Sequence, residues 1–119
     1  LGLKVCVFCA PVLPMINDSE RSLEAVARAA AAAGAMSFGG NILFLKPCSR
    51  EIFLPFLKER FPALAGKYEA AYRDAAYLKG AYPERIRERI REIRERHGLT
   101  QAMDYRPEQW PEGQLSLFE

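Results

Sequence analysis

The sequence predicts an α/β fold in which a parallel β-α-β unit is followed by three helices. Two short apolar runs, 3–10 and 36–45, flank an alanine-rich stretch that ends at Gly34. Runs of this length, rich in β-branched and aromatic residues, are typical of strands buried on both faces. Strand, helix and strand at this spacing form a right-handed crossover with parallel strands. Three helical patterns follow between residues 50 and 97.

Composition and charge are those of one small domain. The chain has 119 residues, half of them hydrophobic, and a net charge of +2. This charge is too small to indicate nucleic-acid binding by itself. No stretch is long and apolar enough to cross a bilayer, so we expect no membrane partner. Two of the three cysteines fall in the first strand, which favours reduced thiols and a cytoplasmic location.

The first strand carries Cys6 and Cys9 at the C-x-x-C spacing of many metal sites. In a strand, residues three apart point to opposite faces, so the spacing favours two small core side chains over a metal site. Ligands of parallel β-α-β units bind beyond the carboxyl ends of the strands. Those ends are residues 10–18 and 43–48, where we look for a site.

The first helix is predicted to begin after Asn17 or Asp18 as N-cap and to end before Gly34. Its apolar stripe is predicted to be buried and comprises Leu23, Val26, Ala27, Ala30 and Ala33. In the second strand, the paired glycines Gly39 and Gly40 predict a bulge or a close backbone approach.

Three further helices are predicted to start at Ser49 as cap, at Pro62 and at Pro83. The first two extend to about residues 60 and 76. Their apolar sides comprise, in order, Ile52, Phe53, Phe56, Leu57 and Phe61; Leu64, Tyr68, Ala71, Tyr72 and Ala75; and Ile86, Ile90, Ile93 and His97. The last helix alternates Arg with Glu, which favours a solvated, ion-paired face over a nucleic-acid surface. His97 fits the helix dipole better than it fits a catalytic base.

Three separated segments together resemble the C-terminal part of radical SAM proteins, most of all the spore-photoproduct-lyase-like group often labelled DNA repair photolyases. They are APVLPMINDS (10–19), GGNILFLKP (39–47) and FLP (53–55), and the similarity extends from residue 3 to about residue 99. The resemblance implies a partial (β/α)6 barrel. In that family a [4Fe-4S] cluster on a C-x3-C-x2-C loop cleaves S-adenosylmethionine reductively to a 5′-deoxyadenosyl radical. The chain would supply the last β-α-β unit (1–47) and a helical C-terminal extension (48–99).

The resemblance assigns this chain the adenosine end of the cofactor site. The site residues that it implies are Pro11, Leu13, Met15, Asp18, Leu43, Phe44 and Leu45. Members of the group usually have glycine where this chain has Met15. The cluster loop is absent, and the three cysteines lack its spacing. The chain alone is therefore expected to be inactive and to bind no cofactor, and nucleic acid would be bound only through the parent protein.

Two parallel strands do not form a stable sheet alone, so we expect the chain to be the C-terminal piece of a longer protein or to self-associate. Both alternatives cover open strand edges and the apolar inner face. The candidates for the uncovered surface are Val5, Val7, Phe8, Ile42 and Phe44.

The last twenty residues, 100–119, have no periodicity and predict a flexible tail. The tail ends in a pentapeptide that resembles the motif by which bacterial DNA polymerases and repair proteins dock on the sliding clamp. It comprises Gln114, Leu115, Ser116, Leu117 and Phe118. The alternative for this segment is an apolar latch on the chain's own helices. The alternative for the whole chain is a non-enzymatic helical interaction domain that is recruited to the clamp.

Overall fold

A computed structural model of the chain describes residues 2–101. Within them lie strands β1 (Cys6–Val12) and β2 (Ser37–Ile42) and helices α1 (Glu20–Ala32), α2 (Pro47–Arg60), α3 (Pro62–Ala71) and α4 (Ala81–Arg96). This order confirms the predicted α/β arrangement. No helix in this range has the length and apolarity required to cross a bilayer. The clamp-like pentapeptide 114–118 lies outside the described residues.

The two strands are parallel neighbours, as the crossover predicts. Cys9 pairs with Gly40, and the register shifts between Cys9 and Val12. A Cβ on Gly40 would lie 2.9 Å from the Cys9 carbonyl oxygen and 3.2 Å from Cδ1 of Ile90. The predicted close approach is confirmed at this glycine, which lets the strands and α4 pack together.

Within residues 2–101, helices cover one face of the sheet, which corrects the prediction that β1 is buried on both faces. Phe8 and Val5 are 59% and 50% exposed, as expected for the uncovered surface. Val7 and Ile42, predicted to share that surface, instead pack against the helix-covered core. Side chains alternate between the faces of a strand, so a single covering layer buries only every second residue.

The larger part of the core lies between the sheet, α1 and α4, and we call it the sheet cluster. Its buried members are Val12, Leu23, Ala27, Ala30, Phe38, Ile86, Ile90, Ile93 and Leu99. The predicted isoleucine stripe of α4 is confirmed. Val26 and Ala33 are exposed, contrary to prediction, because α1 contacts the rest of the core along a narrower face than its apolar stripe.

The N-cap of α1 is Ser19, and the prediction of Asn17 or Asp18 is wrong. The Ser19 hydroxyl accepts a hydrogen bond from the Ser22 N–H at 3.1 Å. Asn17 and Asp18 are engaged in the preceding loop, where their side chains accept hydrogen bonds from Leu13 and Tyr82.

The smaller part of the core lies between α2, α3 and the segments that follow the strands, and we call it the loop cluster. Its buried members are Leu43, Leu45, Leu57, Ala65, Tyr68 and Tyr72. Three residues predicted to face inward on α2 are 37–78% exposed: Ile52, Phe56 and Phe61. Because α2 packs mainly on α3, only one of its faces is buried, and the rest of its apolar surface is exposed.

Several element ends differ from their predicted positions. Helix α2 begins at Pro47 with Lys46 as N-cap, so Ser49 lies in its first turn. Helix α3 ends at Ala71 rather than near residue 76, and α4 begins at Ala81, two residues before Pro83. Strand β2 ends at Ile42, so residues 43–45 extend beyond it as irregular backbone.

Candidate functional site

The segments that follow β1 and β2 meet at one edge of the sheet. The Leu43 N–H donates a hydrogen bond to the Val12 carbonyl at 3.0 Å. The Leu45 N–H donates to the Ala76 carbonyl at 2.9 Å, in the connection between α3 and α4. These bonds place the ends of both strands next to the 72–80 connection.

A tight turn follows β1 at residues 13–17. The N–H groups of Ile16 and Asn17 donate to the Leu13 carbonyl at 3.1 and 3.2 Å, and the Leu13 N–H donates to Asn17 Oδ1 at 2.5 Å. Met15 lies in this turn with a φ of 61°, in the left-handed region that glycine adopts without steric cost. Its side chain is 49% exposed. The turn therefore presents a methionine on a backbone that suits glycine.

Two buried tyrosines of the loop cluster hold the ends of the strands in place. The Tyr68 hydroxyl donates to the Pro14 carbonyl at 2.5 Å, and the Tyr72 hydroxyl donates to the Leu43 carbonyl at 2.8 Å. Both tyrosines are 1% exposed. Burial raises the pKa of Tyr72 to about 12 and also raises the pKa of Tyr68. Both hydroxyls are therefore neutral donors near pH 7.

Helix α4 fixes Asp18 through two further contacts. The Tyr82 hydroxyl donates to Asp18 Oδ2 at 2.5 Å, and Arg89 Nη1 donates to the Asp18 carbonyl at 2.6 Å. The pKa of Tyr82 is raised, mainly by burial and also by the hydrogen bond to the Asp18 carboxylate. Asp18 thus orients the Tyr82 ring, and the two residues act as a pair.

Two cavities open at this edge of the molecule. The larger, of about 740 Å³, is bordered by Met15 and by residues of the 72–80 connection and the start of α4. The smaller, of about 380 Å³, is bordered by Leu43 and Phe44 on one side and by α4 on the other. Tyr77 borders both, and its ring stacks on Phe44 with centroids 3.9 Å apart and planes at 13°.

Only part of the predicted cofactor site reaches these cavities. Met15 borders the larger one, and Leu43 and Phe44 border the smaller one. Four predicted site residues border neither: Pro11, Leu13, Asp18 and Leu45. The Leu45 side chain is 1% exposed in the loop cluster, and Leu13 packs against the same cluster. These two leucines can contribute to a ligand site only through the backbone that they hold.

The polar lining of the larger cavity was not singled out from the sequence. It comprises Asp74, Tyr77, Lys79, Tyr82 and Arg85. The prediction that α3 continues to residue 76 treated Asp74 as helical, whereas the helix ends at Ala71 and leaves an irregular connection. A signal was present in the sequence, because Gly80 breaks the helical pattern among tyrosine and lysine residues.

No group of three His, Cys, Asp or Glu side chains within residues 2–101 is arranged to hold a metal ion. Cys6 and Cys9 are partly buried on β1, and Cys48 is exposed in the first turn of α2. Burial raises the pKa of the Cys9 thiol, which keeps it protonated near neutral pH. The three thiols therefore form no common site in this part of the chain.

Comparison with known proteins finds relatives in mycobacteria. The chain is 36% identical over 106 residues to the uncharacterized protein Mb2609c of Mycobacterium bovis and to the uncharacterized proteins MT2655 and Rv2578c of Mycobacterium tuberculosis. The match covers 89% of this chain and 31% of each relative, so the chain spans about a third of their length. No protein-family model matches the chain. No solved structure matches it.

Proposed function

We propose that this chain is the C-terminal part of a radical SAM enzyme and contributes the adenosine end of its S-adenosylmethionine site. The observation that carries the proposal is the backbone at Met15. The resembled group usually has glycine at this position, and here the φ of 61° is one that glycine adopts most easily. The turn at Met15 therefore has a backbone conformation that a glycine at this position would favour.

The parallel β-α-β unit is a second support. A (β/α) barrel consists of such units and binds its ligands at the carboxyl ends of the strands. In this chain those ends are anchored by Tyr68 and Tyr72 and are bordered by two cavities. The mycobacterial relatives extend well beyond the matched region, which leaves room for further strands and for a cluster loop.

The described residues can accommodate the nucleoside end of this cofactor mainly through their backbone. The Leu43 carbonyl and the Leu45 N–H are already hydrogen-bonded, whereas the Phe44 N–H and carbonyl have no partner among residues 2–101. The Phe44 peptide would bind the edge of the adenine, and the Met15 turn would border the nucleoside. When bound and reduced by the cluster, the cofactor supplies a 5′-deoxyadenosyl radical. This chain would orient the nucleoside and exclude water from it.

The test uses the whole protein to which this chain belongs, reconstituted anaerobically with iron and sulfide. We expect it to form 5′-deoxyadenosine from S-adenosylmethionine, whereas this chain alone forms none. Met15→Val places a β-branched residue at positive φ, where it is a steric outlier, so we expect the turn to move away from its present conformation. Because this turn borders the nucleoside, we expect the KM for S-adenosylmethionine to rise about tenfold, equivalent to about 1.4 kcal/mol of binding free energy. Met36→Val, at the opposite end of the sheet, is the matched control and should leave KM unchanged.

Two outcomes would contradict this proposal. One is a whole protein that contains no C-x3-C-x2-C loop. The other is a preparation that holds its cluster but forms no 5′-deoxyadenosine from S-adenosylmethionine.

The pentapeptide 114–118 favours a second candidate, a helical interaction domain that is recruited to the sliding clamp. All five positions match the clamp-docking pattern, and the segment lies outside the described residues. Burying three apolar side chains contributes roughly 5–9 kcal/mol. The entropy lost when the segment becomes ordered offsets part of this free energy, which leaves about micromolar affinity.

A peptide titration tests the clamp candidate. We expect the tail peptide to bind the clamp of the same bacterium, and a version with Leu117→Ala and Phe118→Ala to bind far more weakly. No binding of the native peptide at about a hundred micromolar, well above the micromolar affinity expected, would end this candidate. A lower Tm of the full chain carrying the same double substitution would instead support the apolar latch.

A further inference from the structure

The larger cavity has the size and the lining of a small-molecule site. Its volume of about 740 Å³ falls within the range of ligand pockets. Apolar walls are provided by Pro14, Met15 and Leu78. A few polar side chains converge on these walls, which is the usual composition of a site that both binds and orients its ligand.

Two tyrosine rings of the cavity are held in fixed orientations. Tyr77 stacks on Phe44 and is nevertheless 59% exposed, so part of its ring surface remains accessible. Tyr82 is held by its 2.5 Å hydrogen bond to Asp18. Because neither ring must be ordered by the ligand, little conformational entropy is lost when a planar group packs against them.

The cations at this cavity differ from the others of α4. Within residues 2–101, five of the six arginines of α4 bind a carboxylate or a backbone carbonyl: Arg87, Arg89, Arg91, Arg94 and Arg96. The sixth, Arg85, makes no such contact in this range and borders the cavity, as does Lys79. Two cations without an intramolecular partner in the described residues are suited to a dianionic group.

We propose that this cavity binds a phosphate monoester that carries a planar ring, a ligand of the size of a nucleoside monophosphate. Arg85 and Lys79 bind the phosphate, and the rings of Tyr77 and Tyr82 pack against the planar group. Asp74, the carboxylate at the cavity, accepts a hydrogen bond from a hydroxyl or amino group of the ligand. This site does not depend on the proposed function, because its recognition elements lie outside the predicted adenosine contacts except for Met15.

Calorimetric titration of the full chain tests the site with uridine monophosphate. We expect a dissociation constant of about 1 mM or lower. Uridine, inorganic phosphate and glycerol 3-phosphate should each bind about tenfold more weakly, because each lacks the phosphate or the ring. Titration with phenyl phosphate tests whether any planar ring is sufficient for binding or whether a nucleoside is required. None of these probes contains adenosine, so failure here would leave the S-adenosylmethionine test unaffected.

Arg85→Gln should weaken binding of uridine monophosphate about tenfold, since a charge-assisted hydrogen bond is lost. Arg91→Gln is the matched control, because Arg91 lies on the same helix and pairs with Glu88 and Glu95. Lys79→Gln provides a second test outside the helix if Arg85→Gln fails to fold. No binding at about 10 mM, equal binding of uridine or glycerol 3-phosphate, or unchanged binding by both folded variants would overturn the proposal.

Discussion

The sheet cluster buries Ile86, Ile90 and Ile93 against the strands, whereas the loop cluster buries Tyr68 and Tyr72 against the segments that follow them. Burial of aliphatic side chains stabilises a fold without fixing the orientation of the groups in contact, because its free energy depends on the area removed from water. The tyrosine hydroxyls add directional hydrogen bonds to carbonyls. The first cluster therefore supports the architecture, and the second sets the positions of the loops that border the cavities.

The largest effect on stability is expected when a buried side chain of the sheet cluster is truncated. Ile93 is 0% exposed, so Ile93→Ala should lower the free energy of unfolding of the full chain by about 2–5 kcal/mol. The matched control is Ile52→Ala, at a side chain that is 78% exposed on α2. It should change stability by less than about 0.5 kcal/mol. Urea titration measures both, and similar losses would contradict the assignment of the core.

A smaller and more local effect is expected in the loop cluster. Tyr72→Phe leaves the buried Leu43 carbonyl without its donor, at a cost of about 1–3 kcal/mol. Amide exchange should accelerate at Leu43 and Leu45, while the amides of β2 change less. Tyr77→Phe, at a tyrosine that is 59% exposed, is the control. Uniform acceleration across both clusters would show that the tyrosine acts on the whole fold rather than on the loops.

Alkaline pH should separate the clusters further. The folded pKa of Tyr72 is about 12 against an ordinary value of 10. The fold therefore favours the neutral form of Tyr72. The contribution of this hydroxyl to the free energy of unfolding is complete below pH 10 and is lost as the pH rises toward 12. The wild type should lose stability over this window, while Tyr72→Phe loses less. Urea titrations of both proteins across this pH range measure the difference, and parallel curves would argue against burial of this hydroxyl.

The smallest effect is expected at the surface of the sheet cluster. Hydrogen bonds from Arg96 and then from His97 lower the pKa of Glu24 below its ordinary value of 4.5. A lowered folded pKa gives stability that is present above pH 4.5 and lost as the pH falls through the folded value. Glu24→Gln should therefore be slightly less stable than wild type at pH 7, with a difference that fades in acid. Thermal melts from pH 7 into acid test whether Glu24→Gln has the lower Tm at pH 7, and Glu92→Gln is the control.

The pattern of apolar residues determined most of the architecture. The isoleucine stripe of α4, the parallel crossover and the close approach at Gly40 follow from periodicity and from the absence of a side chain. Gly34 has a φ of 87°, as a helix C′ position requires. These features depend on residues close in the sequence or on the simple alternation of faces, so the sequence alone contains them.

The candidate site was decided by contacts that no local pattern encodes. Tyr68 reaches Pro14 across 54 positions, and Tyr82 reaches Asp18 across 64. The sequence predicted the edge of the sheet at which Met15 and Phe44 lie, because parallel strands place their carboxyl ends together. The packing of α3 and α4 decides which tyrosines hold those ends and which cations have no partner among residues 2–101. Hydrogen bonds and ion pairs require geometry that only the folded chain provides.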